Sequence, residues 1–184
     1  MFEYNEGQIL IDDIDIKNIG LHDLRSKITL ISKDPILLAG TLRKNLDPYD
    51  EYSDREIWDI LALVNLNTFV ADLYEELLFK CEPGGGNLDT GPRQRLCLAK
   101  AILRKSKIIL FDEAISTDDS LISLIKSIFS NCTVLTIFNN LNAINDCSKI
   151  MVLDDGKLLE FDTPENLLRN QSSHLNSMIF KIKK

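Results

Sequence analysis

The chain has 184 residues, 45% of them hydrophobic, and this length and composition suit one globular domain with a sizeable core. The net charge of -7 argues against a nucleic-acid partner or an anionic membrane surface, because both require clustered Lys and Arg. The four cysteines form no Cys-x-x-Cys pair and no apolar run reaches ~18 residues, which argues against a zinc site and a membrane span within this chain.

The first half of the chain is predicted to alternate short strands and helices. Gly7–Ile16 places isoleucines among acidic residues, which indicates strand and turn, and Ile28–Ile31 has the β-branched content of a buried strand. Ser53 and Glu56 have the spacing of a capping box, which predicts a helix start. Further helical segments are predicted over Ile19–Lys27 and Asn67–Leu73.

Glycine and proline mark the middle of the chain. Pro83–Asn87 is predicted to be a loop and Gly91–Pro92 a turn, and a helix from about Arg93 to Arg104 follows. Strands and helices then alternate, which predicts an α/β fold with a largely parallel sheet. The later predicted elements are strands Ile108–Phe111, Thr133–Ile137, Ile150–Leu153 and Lys157–Phe161, and helices Ser120–Phe129 and Thr163–Arg169. The segment after Gln171 has only a weak pattern.

Two carboxylates follow one of these strands directly. Ile108–Phe111 reads as a buried parallel strand, and Asp112 and Glu113 come at its carboxyl end, where α/β folds bind ligands. An Asp at this place suits Mg²⁺, and a neighbouring Glu suits the activation of a water that attacks a phosphate. The alternative is a solvated acidic turn without function, and the pair alone does not exclude it.

Several motifs along the chain occur in a characteristic order. They are Gly7–Asp12, Gly20–Arg25, Asp34–Pro35, Gly40–Arg43, Asn45–Pro48, Arg93–Ala101 and Asp112–Ala114. In this order they resemble the nucleotide-binding domain of ATP-binding cassette transporters, most closely the C-terminal cassette of the multidrug-resistance-associated branch, subfamily C. The resemblance implies a P-loop NTPase-like (RecA-like) core with a mainly parallel sheet and an inserted α-helical subdomain. It divides the chain into the start of the core (1–32), the helical subdomain (33–100) and the rest of the core (101–184).

The resemblance also implies roles for individual residues. Asp112 matches the family's Mg²⁺-holding aspartate, Glu113 its general base, and Asp119 the aspartate of the turn that follows. Lys33 stands where the family has a glutamine that reaches metal and water, and Asn139 where it has a histidine that contacts the terminal phosphate. Lysine cannot accept a hydrogen bond and asparagine cannot carry charge, so both positions are altered.

The segment before the long helix is altered as well. Leu88–Pro92 stands where the family's signature reads Leu-Ser-x-Gly-Gln, a loop that grips the terminal phosphate of ATP held by a partner domain. Asp89 replaces the serine hydroxyl by a carboxylate that repels phosphate, while Thr90 and Gly91 occupy the next two positions. Pro92 removes one backbone donor from the same helix start.

The sequence contains no Gly-x-x-x-x-Gly-Lys-Ser/Thr, so the family's phosphate loop is absent from it. One hypothesis is that the chain is part of an exporter's ATP-hydrolysing cassette, with the N-terminal phosphate-loop segment missing. A second is a non-hydrolysing, degenerate cassette that acts as a partner or regulatory domain, or a relic without function. A doubly wound binding domain without nucleotide chemistry is a third.

The resemblance implies ligands and partners too. We expect ATP and Mg²⁺ as cofactors, with binding weakened or lost, and a second nucleotide-binding domain and transmembrane domains as partners. No nucleic-acid partner is expected. The cassette would lie on the cytoplasmic side of a membrane, the isolated chain would be cytosolic, and Lys33–Asn65 would face the membrane domains.

Overall fold

The computed structural model describes residues 7–113, 119–137, 144 and 147–182. The chain divides into two compact units, Met1–Ile137 and Phe138–Lys184, each with its own apolar core. The first unit contains a three-stranded sheet, two short antiparallel strand pairs and most of the helices. None of the helices within the described ranges is long and apolar enough to cross a membrane.

Strands and helices alternate along the chain. The strands are β1 (Leu10–Ile11), β2 (Ile14–Asp15), β3 (Ile28–Ser32), β4 (Gly40–Thr41), β5 (Lys80–Cys81), β6 (Ile108–Asp112), β7 (Thr133–Ile137), β8 (Ile150–Asp154) and β9 (Lys157–Asp162). The helices are α1 (Leu21–Lys27), α2 (Leu42–Leu46), α3 (Asp54–Leu63), α4 (Asn67–Ala71), α5 (Thr90–Arg104), α6 (Asp119–Ile128), α7 (Pro164–Arg169) and α8 (His174–Ile182).

The main sheet has the strand order β3-β6-β7, and its strands run parallel. Ile28 pairs with Ile108, which in turn pairs with Thr133, so the strands begin at the same level. At the other end Ser32 pairs with Asp112, with no slip in register between. The predicted parallel sheet is therefore confirmed, and the carboxyl ends of its strands lie together at one edge.

One face of this sheet is covered much better than the other. Ile109 and Phe111 are buried in the core, whereas Leu30 and Leu135 on the opposite face are 62% and 47% exposed. The prediction that β3 is a buried strand is thus wrong for Leu30. Aliphatic composition predicts a strand, but it does not distinguish burial on one face from burial on two.

The core beneath the covered face is built by helices with regular apolar spacing. In α5, Leu96, Ala99 and Leu103 recur every three or four residues and are buried. In α3, Ile57 and Leu61 lie one turn apart and are completely buried. Because side chains at this spacing share one face of a helix, both helices turn a continuous apolar stripe toward the core.

The capping box predicted at the start of α3 is present. The Ser53 hydroxyl accepts a hydrogen bond from the Glu56 backbone N–H at 3.4 Å, and the Glu56 carboxylate accepts one from the Ser53 N–H at 2.8 Å. The bond from the Ser53 N–H, and next one that the Ser53 hydroxyl donates to the Glu56 carboxylate, lower the pKa of Glu56 below its usual value. The charged form of Glu56 is therefore the one that stabilises this helix start.

The part of the chain that is rich in glycine and proline is more regular than predicted. Helix α5 begins at Thr90 rather than Arg93, because the first-turn N–H groups of a helix have no intrahelical partner and Pro92 is tolerated there. Pro83–Gly85 forms a 3₁₀ turn, in which the Gly84 N–H donates to the Leu37 carbonyl at 2.9 Å. The predicted loop thus begins with a hydrogen-bonded turn.

The second unit contains the predicted β8–β9 hairpin and the predicted helix α7, whose start is capped by the Thr163 hydroxyl. It also contains α8, in the segment after Gln171 whose sequence has only a weak pattern. The carboxylate of Glu160 accepts hydrogen bonds from the N–H groups of His174 and Leu175 at 2.8 and 3.1 Å. Ser173 also caps this helix, because its hydroxyl accepts a hydrogen bond at 3.0 Å from the backbone N–H three residues later. The sequence therefore carried a local N-cap signal for α8 that was missed.

Candidate functional site

The in-register pairing of β3 and β6 brings two predicted site residues together. Ser32 and Asp112 are paired, so the next residues of the two strands, Lys33 and Glu113, lie side by side beyond the sheet. The Lys33 Nζ atom donates a hydrogen bond to Glu113 Oε2 at 2.8 Å, across 80 residues of sequence. The two side chains are 61% and 35% exposed, so this ion pair is open to solvent on one side.

The backbone of Glu113 helps to form this pair. Its φ angle is +50°, a left-handed conformation that is uncommon for residues other than glycine. The chain thus turns sharply as soon as β6 ends. Asp50 and Lys105, among others, share this conformation away from the strand ends, so the conformation does not by itself mark a functional site.

The pair changes the electrostatics of the strand ends. The hydrogen bond to Glu113, and next the charge of Glu113, raise the pKa of Lys33, and the charges of Asp34 and Asp112 act in the same direction. Lys33 is therefore charged at neutral pH. A fixed positive charge lies beside both carboxylates that were predicted to bind metal and to activate water.

Asp112 suits a magnesium ion better than its neighbours do. It is the last residue of β6, is exposed, and offers hard carboxylate oxygens, while Mg²⁺ typically keeps several waters and takes few protein ligands beside substrate phosphates. The Lys33 ammonium opposes a second cation at this edge. No group of three or more His, Cys, Asp or Glu able to hold a metal ion by itself occurs among the described residues.

The predicted signature-like segment lies at the start of α5. Asp89 is the N-cap residue, its side chain makes no capping hydrogen bond, and Asp89, Thr90 and Gly91 are exposed. The positive end of the helix dipole favours an anion here, and the Asp89 carboxylate already supplies one. Arg93 fixes this start by donating to the Gly84 carbonyl at 3.1 Å and to the Thr90 hydroxyl at 3.3 Å.

The remaining predicted site residues, Asp119 and Asn139, belong to other parts of the chain. Asp119 is the first residue of α6, and Asn139 lies outside the described residues. Lys33, Asp112 and Glu113 thus meet at one sheet edge, while Asp89, Thr90 and Gly91 are held by a separate helix. The pairing of Lys33 with Glu113 was not predicted, because strands predicted in front of both residues do not specify which strands are neighbours or in which register.

The sequence also gave no specific role to Asn45, which shapes the segment after Lys33. Asn45 is 5% exposed and accepts a hydrogen bond from the Leu38 N–H at 2.7 Å. Its amide nitrogen donates to the Leu38 carbonyl at 2.8 Å and to the Thr41 carbonyl at 3.1 Å. This clamp fixes a loop from which Ile36 and Leu38 project, 73% and 67% exposed.

Comparison with known proteins identifies the family of this chain. The family model described as "ABC transporter" matches residues 1–116. The chain belongs to the ABC transporter family. Human ATP-binding cassette sub-family C member 2 is 51% identical over 168 residues, which are 89% of this chain and 11% of that protein. Caenorhabditis elegans multidrug resistance protein mrp-7 is 46% identical over 184 residues, 97% of this chain and 12% of that protein.

The fold agrees with this assignment. A bacterial Atm1-family ABC exporter, solved with ATP bound, superposes with a TM-score of 0.90 at 27% sequence identity, over all of this chain and 33% of that one. The chain is thus an ABC nucleotide-binding domain of subfamily C type with the P-loop NTPase fold, as the motifs indicated. It spans about a tenth of the length of the curated relatives it matches.

Proposed function

We propose that the chain is the nucleotide-binding cassette of an exporter of subfamily C type, which binds ATP with Mg²⁺ and couples it to transmembrane transport. Its partners would be a second nucleotide-binding domain and the transmembrane domains of a transporter, with the cassette on the cytoplasmic side of the membrane. The single observation that carries this proposal is the position of Asp112 and Glu113 at the carboxyl end of β6, in a chain of this family.

Each predicted site residue would have a role that suits the chemistry of its side chain. Asp112 would hold Mg²⁺ through its carboxylate oxygens, and the bound ion would neutralise phosphate charge. Glu113 would accept the proton of the attacking water, once its carboxylate is free to do so. Lys33 would reach the phosphate from the end of β3, and Asp119 and Asn139 would lie near it by family resemblance.

The segment at the start of α5 would face nucleotide held by the partner cassette. Thr90 and Gly91 can offer a hydroxyl and backbone N–H groups to a phosphate at this helix start. Asp89 opposes this because its carboxylate repels the phosphate, and Pro92 offers no N–H. We propose that this half of the shared site binds nucleotide weakly.

We further propose that ATP hydrolysis is impaired, so that the cassette acts mainly as a non-hydrolysing partner domain. The ion pair between Lys33 and Glu113 supports this, because a carboxylate bonded to an ammonium is a poorer base for water. We retain the division into 1–32, 33–100 and 101–184, with Lys33–Asn65 facing the membrane domains. The exposed Ile36 and Leu38 suit such a contact.

Equilibrium dialysis of the purified chain against labelled ATP, with and without Mg²⁺, tests the proposal, with phosphate release followed in parallel. We expect binding with little or no turnover. Glu113→Gln should leave binding intact, and Glu165→Gln, which alters an exposed carboxylate paired with Arg169, is the matched control. Turnover that disappears in Glu113→Gln would refute impaired hydrolysis, and undetectable ATP binding at millimolar nucleotide would refute the cofactor assignment.

A further inference from the structure

We propose that Lys33 is an internal counter-ion that holds Glu113 and lowers the affinity of the Asp112 edge for a divalent cation. This inference rests on the metal-binding role proposed above for Asp112. In this inference Lys33 positions Glu113 and opposes metal binding, whereas a metal-binding side chain at the same place would promote it. It is carried by the geometry of the two strand ends.

The first step is the fixed placement of the ammonium. Ser32 and Asp112 are paired in the sheet, so Lys33 leaves its strand at the level where Glu113 leaves the neighbouring one. The left-handed backbone of Glu113 turns the chain at that point, and the 2.8 Å hydrogen bond joins the two side chains. The positive charge is therefore held at the strand ends by a specific partner.

The second step is the local charge balance. Asp112 and Glu113 are adjacent in sequence, and Asp34 follows Lys33 directly, so three carboxylates act on Lys33 among the residues that the structure describes. Without Lys33 these carboxylates would leave the edge more negative, which favours a divalent cation. With Lys33 present, part of this negative charge is already neutralised, and a second cation is repelled by the ammonium beside Glu113.

The third step concerns the acceptor positions that remain on the Glu113 carboxylate. A carboxylate oxygen bonded to an ammonium has one acceptor position fewer for water or for metal-bound water. Glu113 is thus restrained as well as partly neutralised. Lys33 is itself 61% exposed, so replacing it should not disturb the core beneath the sheet.

The test is a titration of the purified full chain with Mn²⁺ alone, followed by electron paramagnetic resonance. A unit charge about 6 Å from a divalent ion changes its affinity by about tenfold in water-like surroundings, and by less as salt rises. We expect Lys33→Gln to bind Mn²⁺ about tenfold more tightly than wild type at low salt. Lys33→Arg, which keeps the charge, should stay near wild type.

Lys44→Gln is the matched control, because Lys44 is similarly exposed and faces the carboxylate of Asp50, away from the strand ends. Equal Mn²⁺ affinity in wild type and Lys33→Gln would overturn the inference, as would tighter binding in Lys33→Arg. Adding Asp112→Asn to Lys33→Gln separates the two proposals. Loss of the tight binding in that double variant supports both, whereas its persistence refutes the metal role of Asp112 alone.

Discussion

Replacing Asn45 should destabilise the first unit more than its small side chain suggests. The side chain is buried and satisfies three backbone groups, the N–H and carbonyl of Leu38 and the carbonyl of Thr41. Asn45→Ala leaves all three without this partner. Asn45→Asp has nearly the same shape and can still accept from Leu38, but it points its other carboxylate oxygen at the two carbonyls to which Asn45 donates.

The size of this destabilisation follows from the number of hydrogen bonds that are lost. Each intramolecular hydrogen bond contributes about 1 kcal/mol net, so Asn45→Ala should lower the free energy of unfolding by about 3 kcal/mol. For a chain of this size that corresponds to a fall in melting temperature of about 6–12 °C. We expect Asn45→Asp to be at least as harmful, because a buried charge facing carbonyl oxygens adds a desolvation cost.

Urea unfolding followed by fluorescence measures this effect. Trp58 is the single tryptophan of the chain and packs against the core of the first unit, so its emission reports on that unit. Asn67→Ala, at an exposed position, is the control and should change the unfolding free energy by less than about 0.5 kcal/mol. The reasoning fails if Asn45→Ala behaves like this control, or if Asn45→Asp is as stable as wild type.

Three further predictions concern the same unit. Leu61→Ala should cost about 3–5 kcal/mol in urea unfolding, because Leu61 is completely buried, and a loss below about 1 kcal/mol would contradict its place in the core. Gly85→Ala should lower the melting temperature, since φ is +74° and an added Cβ would lie 2.8 Å from the Arg93 side chain; an unchanged melting temperature counts against this geometry. Glu56→Ala should be less stable than wild type at pH 7. Because the pKa of Glu56 is lowered in the folded state, this deficit should be complete above the unfolded-state pKa of about 4.3 and vanish as pH falls through the folded-state pKa; a deficit that persists in acid contradicts the capping role of the carboxylate.

Much of the fold could be predicted because its signals are local. The capping box at Ser53, the apolar strand before Asp112 and the first-turn proline of α7 each specify an element within a few residues. The start of α8 was missed, because one of its caps is the carboxylate of Glu160 on β9, although the hydroxyl of Ser173 also caps it locally. The exposure of Leu30 was missed for a similar reason, since composition is silent about which face of a sheet is covered.

The candidate site could likewise be predicted from sequence only in part. The family resemblance predicted Asp112, Glu113 and Lys33 as members of one site, and strand prediction placed the first two at the end of a strand. Their mutual contact depends on the register of two strands far apart in sequence. Register is set by pairing in three dimensions, so the ion pair between Lys33 and Glu113 emerged only with the structure.

The in-register pairing of β3 with β6 also has a kinetic consequence. Helices form from local contacts, whereas these two strands join segments separated by 80 residues, and closing so long a loop costs entropy before any pairing is gained. The edge that carries Lys33, Asp112 and Glu113 should therefore assemble late in folding. During synthesis it stays incomplete until β6 has been made, however early the helices around it have formed.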